Sequence, residues 1–458
     1  MRTGLLLPVI VFFGIALFGS SALADDSAGP TRPDILLIVY DDMNPDYLYE
    51  YPGKKTRMLD KLVSRGTVFR SAIMQPRCKI SRFAMMSGMW PRETNLFFGR
   101  DATKNGIADP DVSLSFAVDL LNAGYRTFIA GKLFHNTAGT DTDFHLAGFE
   151  AGFVDDEKFA RVTQQPLFDW LDTVPEEDNF FLSWSPKLPH GPFLPPQKYL
   201  DLIDPTEIEI PAHVQGQPWE NEWVYGQQGT WVQLAMMAWA DRELKRLVQK
   251  LAQLNRLNNL LVVFVVDNGM SVENTGKGSP YDHGWRVPVI VAGAGLPRNA
   301  SNDALVSITD IRPTILDYAG VPYTEISDGR SLKPLVEGST PPDWRTRIVH
   351  PTWPGVVLTP SWQDELMGLT IHDQQSGFMY LSWLREVRAE YDDWLRIFDG
   401  LSGYPTWNCG DEQLFDLDAD PFEQVDLADD PAYRDTLRDY RRDANDWLEA
   451  NGRFGCPE

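Results

Sequence analysis

Two pairs of polar side chains directly follow apolar runs of the chain, and their types suit cation binding. Asp41 and Asp42 follow one run, and Asp267 and Asn268 follow the second, Leu260–Val266. Such runs are typical of parallel strands buried on both faces, and α/β sheets bind ligands beyond the carboxyl ends of their strands. Hard divalent cations prefer oxygen ligands, and a cation relieves the repulsion between adjacent carboxylates. The pattern predicts a divalent cation site, with solvated turn acids as the alternative interpretation.

A cysteine with an arginine four residues after it is the second candidate for chemistry. Cys78 and Arg82 lie in the segment R-C-K-I-S-R-F-A-M-M-S-G. A thiol can act in covalent catalysis, directly or after chemical conversion. The alternative is a small side chain buried in a hydrophobic core.

Cationic side chains follow three further segments. Lys132 and His135 lie in G-K-L-F-H after the strand-like run 125–130, and His190 lies in P-K-L-P-H-G-P-F after the next such run. Lys277 lies in G-K-G-S-P-Y-D-H-G-W-R-V-P, shortly after the second polar pair. The chain has only seven histidines, and either His135 or His190, taken alone, suits a structural role. Their positions after successive strands favour one shared site.

In their order and spacing, these segments resemble the active-site motifs of the sulfatase family. The segment that begins at Cys78 resembles C-x-P-S-R, residues 131–135 resemble G-K-x-x-H, and the segment around His190 resembles P-H-x-P. The block around Lys277 is similar to the family segment whose lysine contacts the sulfate. The resemblance extends over most of the chain, from about residue 34 to residue 448.

The resemblance implies a sulfuric ester hydrolase that releases inorganic sulfate from a sulfated carbohydrate or an aryl sulfate. It implies that a formylglycine-generating enzyme oxidises the cysteine to formylglycine, whose hydrate is the nucleophile. It also implies one bound Ca²⁺, and the proposed ligands are Asp41, Asp42, Cys78, Asp267 and Asn268.

Further roles follow from the resemblance, position by position. Arg82 and Lys132 would orient and stabilise the nucleophile, while Lys277 would bind the sulfate and assist the leaving group. His190 would donate a proton to the leaving oxygen, and His135 would remove the proton whose loss expels the sulfate.

Two departures from the family pattern leave alternatives open. Ile80 stands where the signature has proline, and His283 stands where the lysine segment often has an acid. If Ile80 prevents the oxidation of Cys78, the protein would be a non-catalytic protein that binds sulfated glycans. A phosphoric or phosphonic ester hydrolase of the same fold is the other alternative, although Asn268 stands where a second-metal site would favour histidine.

Strand-like runs alternate with helical patterns up to about residue 320, which predicts an α/β fold. The expected architecture is a mostly parallel central sheet with helices on both faces, and a small C-terminal α+β subdomain with a short antiparallel sheet. Helices are predicted at Ser113–Asn122, at Gln233–Leu254 and from about Ala432 to Ala450. A loop without regular structure is predicted between His190 and Tyr225. The predicted units are a signal peptide at 1–24, a catalytic domain at 25–338 and the subdomain at 339–458.

The N-terminal segment indicates an exported protein. An apolar stretch follows Arg2, and Ala22-Leu23-Ala24 has the pattern of a signal-peptide cleavage site, so we expect a periplasmic or secreted protein without a stable membrane anchor. The net charge of -24 makes nucleic acid an unsuitable partner. Apart from Cys78 the chain has two cysteines, Cys409 and Cys456, which could form a disulfide in an oxidising compartment.

Overall fold

A computed structural model describes residues 32–43, 45–48, 51, 53–75, 78–90, 112–134, 144–153, 164–209, 227–269, 277, 280–323, 327–352, 368–384, 409–421 and 423–450. The strands are β1 Asp34–Tyr40, β2 Gly66–Ile73, β3 Arg126–Gly131, β4 Ala151–Phe153, β5 Phe180–Ser185, β6 Leu260–Val266, β7 Arg286–Gly293, β8 Ala300–Asn302, β9 Val306–Ser307, β10 Arg347–Thr352, β11 Gly368–Asp373, β12 Phe378–Trp383 and β13 Glu412–Asp416. The α-helices are α1 Arg57–Arg65, α2 Cys78–Ser87, α3 Phe116–Asn122, α4 Gln164–Thr173, α5 Gln197–Leu200, α6 Gln227–Gln253, α7 Asp282–Trp285, α8 Ile311–Ala319, α9 Lys333–Val336 and α10 Arg434–Ala450. Short 3-10 turns occupy Pro45–Leu48, Val112–Leu114, Pro205–Glu207, Ile308–Asp310 and Pro431–Tyr433.

The strands form two separate sheets. Nine strands make the large sheet in the order β4-β3-β5-β1-β6-β7-β2-β8, with β9 paired to β2. The pairs of β1 with β5 and β6 and of β3 with β4 and β5 are parallel, whereas β7 runs antiparallel to both of its neighbours. Strands β10 to β13 form an antiparallel sheet of four. The predicted α/β class, the mostly parallel sheet and the small antiparallel sheet are confirmed.

The centre of the large sheet is apolar on both faces. Every residue of β1, β5 and β6 is buried, which explains why β1 and β6 are almost continuous apolar runs rather than alternating ones. The ring of Tyr40 lies 5.1 Å from the ring of Phe264 and 6.3 Å from that of Trp184, in edge-to-face arrangements. Such contacts fix the three neighbouring strands relative to one another just before their carboxyl ends.

One long helix supports the N-terminal helix through a buried carboxylate. Asp241 lies within α6, and its Oδ1 accepts hydrogen bonds from the backbone N–H groups of Met58 and Leu59 at 2.8 and 2.9 Å. These groups begin α1 and have no partner inside that helix. Burial raises the pKa of Asp241 to about 6. Asp241 therefore caps another helix.

The C-terminal sheet packs against α10 on one face and against the core of the large sheet on the other. Leu369, Tyr380, Leu437 and Tyr440 belong to a small apolar cluster between the sheet and α10. Side-chain hydrogen bonds join the two parts of the molecule, including that from the Tyr281 hydroxyl to Gln413 at 2.9 Å. The small sheet is therefore fixed to the large one.

Four aromatic rings are in contact between the two sheets, three of them stacked and the fourth, Trp285, tilted by 56° against His372. The imidazoles of His350 and His372, on the paired strands β10 and β11, lie 5.3 Å apart with 5° between their planes. Trp90 covers one imidazole at 5.3 Å, and Trp285 covers the other at 4.2 Å. Each histidine is 2% exposed. We call this set of four rings the aromatic stack.

Several predicted boundaries differ from the structure. Helix α6 begins at Gln227 rather than at Gln233, and the predicted loop after His190 contains α5 and the turn Pro205–Glu207, so its assignment as wholly irregular was wrong. The predicted signal peptide and Cys456 lie outside the described residues, whereas Cys409 is disulfide-bonded. In the described part of the chain, no helix combines the length and the apolar character that a membrane span requires.

Candidate active site

The carboxyl ends of four adjacent strands bring the predicted residues together. Asp41 and Asp42 follow β1, Asp267 and Asn268 follow β6, and Lys132 follows β3. Backbone hydrogen bonds continue the sheet past the strand ends, from Asp267 to Tyr40, from Asp41 to Leu188 and from Lys132 to Ser185. These bonds hold the side chains at fixed positions along one edge of the sheet.

Cys78 is the first residue of α2, directly above this edge. Its Sγ lies 3.5 Å from Asp41 Oδ1 and 3.8 Å from Asp42 Oδ1. The residue is 4% exposed. Burial raises the pKa of the Cys78 thiol to about 12, although Lys132 and Lys277 oppose the shift. The unmodified side chain is therefore a protonated thiol and a poor nucleophile.

Arg82, one turn further along α2, is fixed by several acceptors. Its Nε donates to Asp267 Oδ2 at 2.6 Å, and its Nη1 donates to the carbonyl oxygen of Lys132 at 2.8 Å and to Ser185 Oγ at 2.6 Å. Its Nη2 lies 3.6 Å from Asp41 Oδ2. Burial alone would lower the pKa of this guanidinium, but the carboxylates of Asp267 and Asp41 raise it. Arg82 is therefore a permanent buried cation in a defined orientation.

A second buried cation lies beside the first acidic residue. Lys132 Nζ donates to Asp41 Oδ2 at 2.6 Å, and both side chains are at most 4% exposed. Burial favours the neutral carboxyl group, but the charges of Lys132, His190 and Arg82 outweigh it and hold the pKa of Asp41 well below its usual range. Burial and the neighbouring Asp41 carboxylate instead raise the pKa of Asp267.

The side chain of Asp42 connects the remaining polar residues. Asn268 Nδ2 donates to Asp42 Oδ1 at 2.6 Å, and Lys277 Nζ lies 2.7 and 2.9 Å from its two oxygens. His190 Nε2 lies 3.5 Å from Asp42 Oδ2. Asp42 itself has a backbone φ of 58°, a left-handed conformation that turns the chain sharply after β1. This turn points two successive carboxylates toward one cluster.

Exposure divides the site into a floor and a mouth. The side chains of Arg82 and Lys132 are 1% and 4% exposed, whereas those of Lys277 and His190 are 20% and 28% exposed. Lys277 and His190 therefore form the open side of the cluster, and Arg82, Lys132 and Cys78 lie deepest in it.

The donor set fits a divalent cation. Ligand atoms of Asp41, Asp42, Cys78 and His190 lie within 4.8 Å of one another. Asn268 Oδ1 is buried and has no hydrogen-bond partner among the described residues, an arrangement that a cation would satisfy. Two carboxylates and an amide oxygen are the donors that Ca²⁺ and Mg²⁺ prefer. The fifth predicted ligand, Asp267, directs its oxygens toward Arg82 and the backbone N–H of Asp42.

The structure brings nine of the ten predicted site residues into this cluster. The tenth, His135, lies outside the described residues, and so do the neighbours of Lys277 at 270–276. The sequence motifs did not identify Ser185, whose hydroxyl accepts a hydrogen bond from Arg82. The only signal for Ser185 was its position at the end of a strand, next to residues that the motifs had identified.

Known proteins of similar sequence include several sulfatases. The chain is 25% identical over 488 residues to arylsulfatase K of Canis lupus familiaris, with 90% of this chain and 84% of that protein covered. It is 24% identical over 489 residues to an ulvan-active sulfatase of Formosa agariphila, with 98% of this chain and 89% of the relative covered.

Solved structures of similar fold include hydrolases with different substrates. A phosphonate monoester hydrolase from Silicibacter pomeroyi superposes with a TM-score of 0.68 at 18% identity, covering 92% of this chain and 96% of that one. A protein solved with its substrate D-glucosamine-2-N,6-O-disulfate superposes with a TM-score of 0.65 at 16% identity, covering 92% and 98%. At these identities the likeness concerns the fold. The family model for sulfatases matches residues 33–321, well over half of the chain, and the chain therefore belongs to the sulfatase family.

Proposed function

We propose that this sulfuric ester hydrolase acts on a sulfated carbohydrate through a nucleophile made from Cys78. The observation that carries the proposal is the position of the Cys78 Sγ, which lies within 4 Å of two carboxylates and close enough to Lys132 and Lys277 for their charges to act on it. Sulfate esters resist hydrolysis because an anionic group repels nucleophiles and the departing alkoxide needs stabilisation. Several cations in one site would reduce the repulsion between the sulfate and the nucleophile and would stabilise the charge on the leaving oxygen.

The thiol itself is an unsuitable nucleophile in this environment. A thiol with a pKa near 12 is almost fully protonated at neutral pH. Oxidation by a formylglycine-generating enzyme would turn the Cβ into an aldehyde carbon, with an oxygen in place of the Sγ. The hydrate of this aldehyde would supply the attacking hydroxyl. The cysteine sulfur in the structure therefore marks the place of that oxygen.

The buried cations on the floor would act on the nucleophile. Lys132 and Arg82 flank Asp41, which in turn lies 3.5 Å from the Cys78 Sγ. They would orient the nucleophilic oxygen and stabilise its charge. At the mouth, Lys277 would bind the sulfate oxygens and reduce the charge on the leaving group.

His190 is positioned to move a proton at the mouth. Its Nδ1 lies 2.6 Å from the carbonyl oxygen of Gly191, and since a carbonyl oxygen only accepts, this nitrogen carries a hydrogen. The Nε2 atom, which faces Asp42, is then the nitrogen that gains and loses a proton. We propose that Nε2 protonates the leaving oxygen and that His135 serves as the base that releases sulfate.

Sulfatases generally use a metal ion, and we propose Ca²⁺ here. Asp41, Asp42, Asp267, Asn268 and the converted Cys78 would hold it. The donors are oxygens, and a hard cation with a large, flexible coordination shell suits them better than zinc does. The cation would supply electrostatic neutralisation of the sulfate oxygens.

The substrate class and the location of the protein are proposals that rest on similar proteins. The relatives include an ulvan-active sulfatase and a protein named extracellular sulfatase, and one structural neighbour binds a disulfated glucosamine. We propose a sulfated sugar as substrate and export to the periplasm or medium, with cleavage after Ala24. N-terminal sequencing of the protein recovered outside the cytoplasm would test the cleavage site, and a mature N-terminus other than Asp25 would contradict it.

Mass spectrometry and sulfate release together test the proposed function. Protein from its native host would be cut with a protease other than trypsin, because Arg77 and Lys79 flank the key residue. We expect the peptide with position 78 to carry an aldehyde in place of the thiol. Ion chromatography should detect metal-dependent sulfate release from sulfated sugars, and Cys78→Ala should abolish it.

Three results would contradict the proposal in different ways. An intact thiol together with tight binding of sulfated sugars would favour the non-catalytic glycan-binding protein. Faster hydrolysis of phosphate or phosphonate monoesters than of every sulfate ester would favour the alternative hydrolase. Sulfate release unaffected by a chelator would exclude the cation from the reaction.

A further inference from the structure

Ser185, the last residue of β5, contacts the guanidinium of Arg82 and the backbone of Lys132. Its Oγ accepts a hydrogen bond from Arg82 Nη1 at 2.6 Å, and its carbonyl oxygen accepts one from the backbone N–H of Lys132 at 2.9 Å. The residue is 1% exposed. A serine hydroxyl is a weak nucleophile unless a base activates it, so we consider Ser185 as a hydrogen-bond acceptor for its neighbours.

The serine hydroxyl completes the set of acceptors that fixes the Arg82 plane. The guanidinium is a rigid fork, and its orientation depends on having acceptors on more than one side. Asp267 Oδ2 holds the Nε end, while the Lys132 carbonyl oxygen and Ser185 Oγ hold Nη1. Without the hydroxyl, Nη1 keeps a single neutral acceptor, and the Asp41 carboxylate, 3.6 Å from Nη2, is the nearest group that would draw the fork away.

The backbone at this position has little freedom to adjust. Gly131 pairs with Ser185 between β3 and β5, and a Cβ atom on Gly131 would lie 2.2 Å from the Ser185 carbonyl oxygen. The φ of Gly131 is 100°, a conformation that side chains rarely adopt. The two strands therefore approach closely just before Lys132, which fixes the distance between Ser185 and the floor of the site.

We propose that Ser185 is a positioning residue that holds Arg82 in its catalytic orientation and keeps it from pairing fully with Asp41. The proposal rests on the proposed function, because it assigns Arg82 to the stabilisation of the nucleophile. Removal of the hydroxyl would slow the chemical step and leave substrate binding at Lys277 unchanged.

Steady-state kinetics of three serine variants test this role. Ser185→Ala removes the hydroxyl, Ser185→Thr retains it, and Ser183→Ala removes a buried hydroxyl from the same strand without touching Arg82. We expect Ser185→Ala to lower kcat by roughly tenfold to a hundredfold, the range for a lost hydrogen bond to a charged group, with KM nearly unchanged. Ser185→Thr should recover most of kcat, and Ser183→Ala should retain it.

A crystal structure of Ser185→Ala gives a measurement that does not depend on turnover. We expect the Arg82 guanidinium to rotate away from the Lys132 carbonyl oxygen and toward Asp41. An unchanged guanidinium together with an unchanged kcat would overturn the proposal, as would equal losses of kcat in Ser185→Ala and Ser183→Ala. If the wild-type protein releases no sulfate, the proposed function fails, and the position of Arg82 in the variant decides the role of Ser185.

Discussion

At the scale of single residues, the site depends on buried charges that compensate one another. Asp41 and Asp267 would be poor ions in an apolar interior, and Arg82 and Lys132 would be poor cations there. Hydrogen bonds at 2.6 Å join Asp41 to Lys132 and Asp267 to Arg82, so each carboxylate has a buried cation beside it. Such pairs contribute little net stability, but removal of one member leaves an uncompensated charge.

The geometry of Arg82 predicts that a lysine cannot replace it. Arg82→Lys keeps the charge but loses the fork that joins Asp267, the Lys132 carbonyl oxygen and Ser185. We expect kcat/KM to fall about 100-fold or more and the free energy of unfolding to fall by about 2 kcal/mol. Sulfate-release rates and urea unfolding measure the two effects.

Arg126→Lys is the matched control for that substitution. Arg126 pairs with Glu150 at 2.7 Å, and both side chains are about one-quarter to one-third exposed. A partly exposed pair of this kind contributes at most about 1 kcal/mol, so the variant should unfold and react almost as the wild type does. If Arg82→Lys behaved like this control, the fork geometry would be unimportant.

At the scale of secondary-structure elements, most of the proposed site residues lie at the carboxyl ends of strands, and Cys78 and Arg82 lie on helix α2. The start of α2 carries Cys78, and the end of the same helix accepts a hydrogen bond at the Ser87 carbonyl oxygen from Arg312 Nη1, at 2.6 Å. The last carbonyl groups of a helix lack partners within the helix, and Arg312 provides one. Its positive charge also interacts favourably with the negative end of the helix dipole. The helix that presents Cys78 is therefore fixed at both ends.

The cap on α1 gives a prediction about stability without a change in chemistry. Both hydrogen bonds from the start of α1 go to a single oxygen of Asp241, so Asp241→Asn can retain them while Asp241→Ala cannot. We expect the alanine variant to lose about 1 to 2 kcal/mol of unfolding free energy and the asparagine variant to lose less. Thermal unfolding measures this difference, and kcat should not change.

The control for the cap is an acidic residue on an exposed helix surface. Asp435 at the start of α10 is 87% exposed, and Asp435→Ala should change stability by less than about 0.5 kcal/mol. Equal losses in Asp241→Ala and Asp241→Asn would show that the carboxylate charge, rather than its acceptor oxygen, stabilises α1.

Sequence patterns predicted the strands better than the helix starts, for a physical reason. The buried strands are mostly apolar, so they can be recognised from the local sequence, whereas the start of α6 depends on tertiary contacts. The indole of Trp231 donates to the carbonyl oxygens of Leu200 and Ile203, and the ring of Tyr199 stacks on Trp239 at 5.8 Å. These contacts stabilise α5 and the first turns of α6 against their local composition.

At the scale of the whole molecule, the aromatic stack joins the two sheets with groups that must stay neutral. Burial lowers the pKa of His350 from 6.5 to about 4 and lowers that of His372 well below its usual range. Unfolded histidines take up protons near pH 6.5, whereas these do so only at lower pH. Their contribution to stability is therefore complete above pH 6.5 and is lost as the pH falls toward 4.

This difference predicts an acid-sensitive connection between the sheets. His350 alone should lower the free energy of unfolding by about 3 kcal/mol between pH 7 and pH 4. Replacement of both histidines with phenylalanine keeps planar rings that cannot be protonated, so the pH dependence of urea unfolding should become shallower over this range. His145→Gln, at an exposed histidine, is the control. An unchanged slope in the double variant would contradict the assignment.

The motif residues were largely predictable because each motif is a short stretch of sequence. The residues that hold them in place come from distant parts of the chain and carry no such signal. Asp41, Asp42, Asp267 and Asn268 follow continuous apolar runs, and the strand ends do meet at one edge. Ser185 has no such signal, because a single serine at the end of a strand is ordinary until Arg82 is seen beside it.

The burial of Cys78 has a consequence for the order of events in biosynthesis. The residue begins a helix and is 4% exposed, so a small sulfate group can approach it through the mouth while the backbone around it stays closed. An enzyme that binds the chain around this cysteine in order to modify it would need an accessible, extended backbone. Strand β6, which closes the site with Asp267, is synthesised well over a hundred residues later. If Cys78 is converted as proposed, the nascent chain would therefore offer the modifying enzyme access that the folded protein does not.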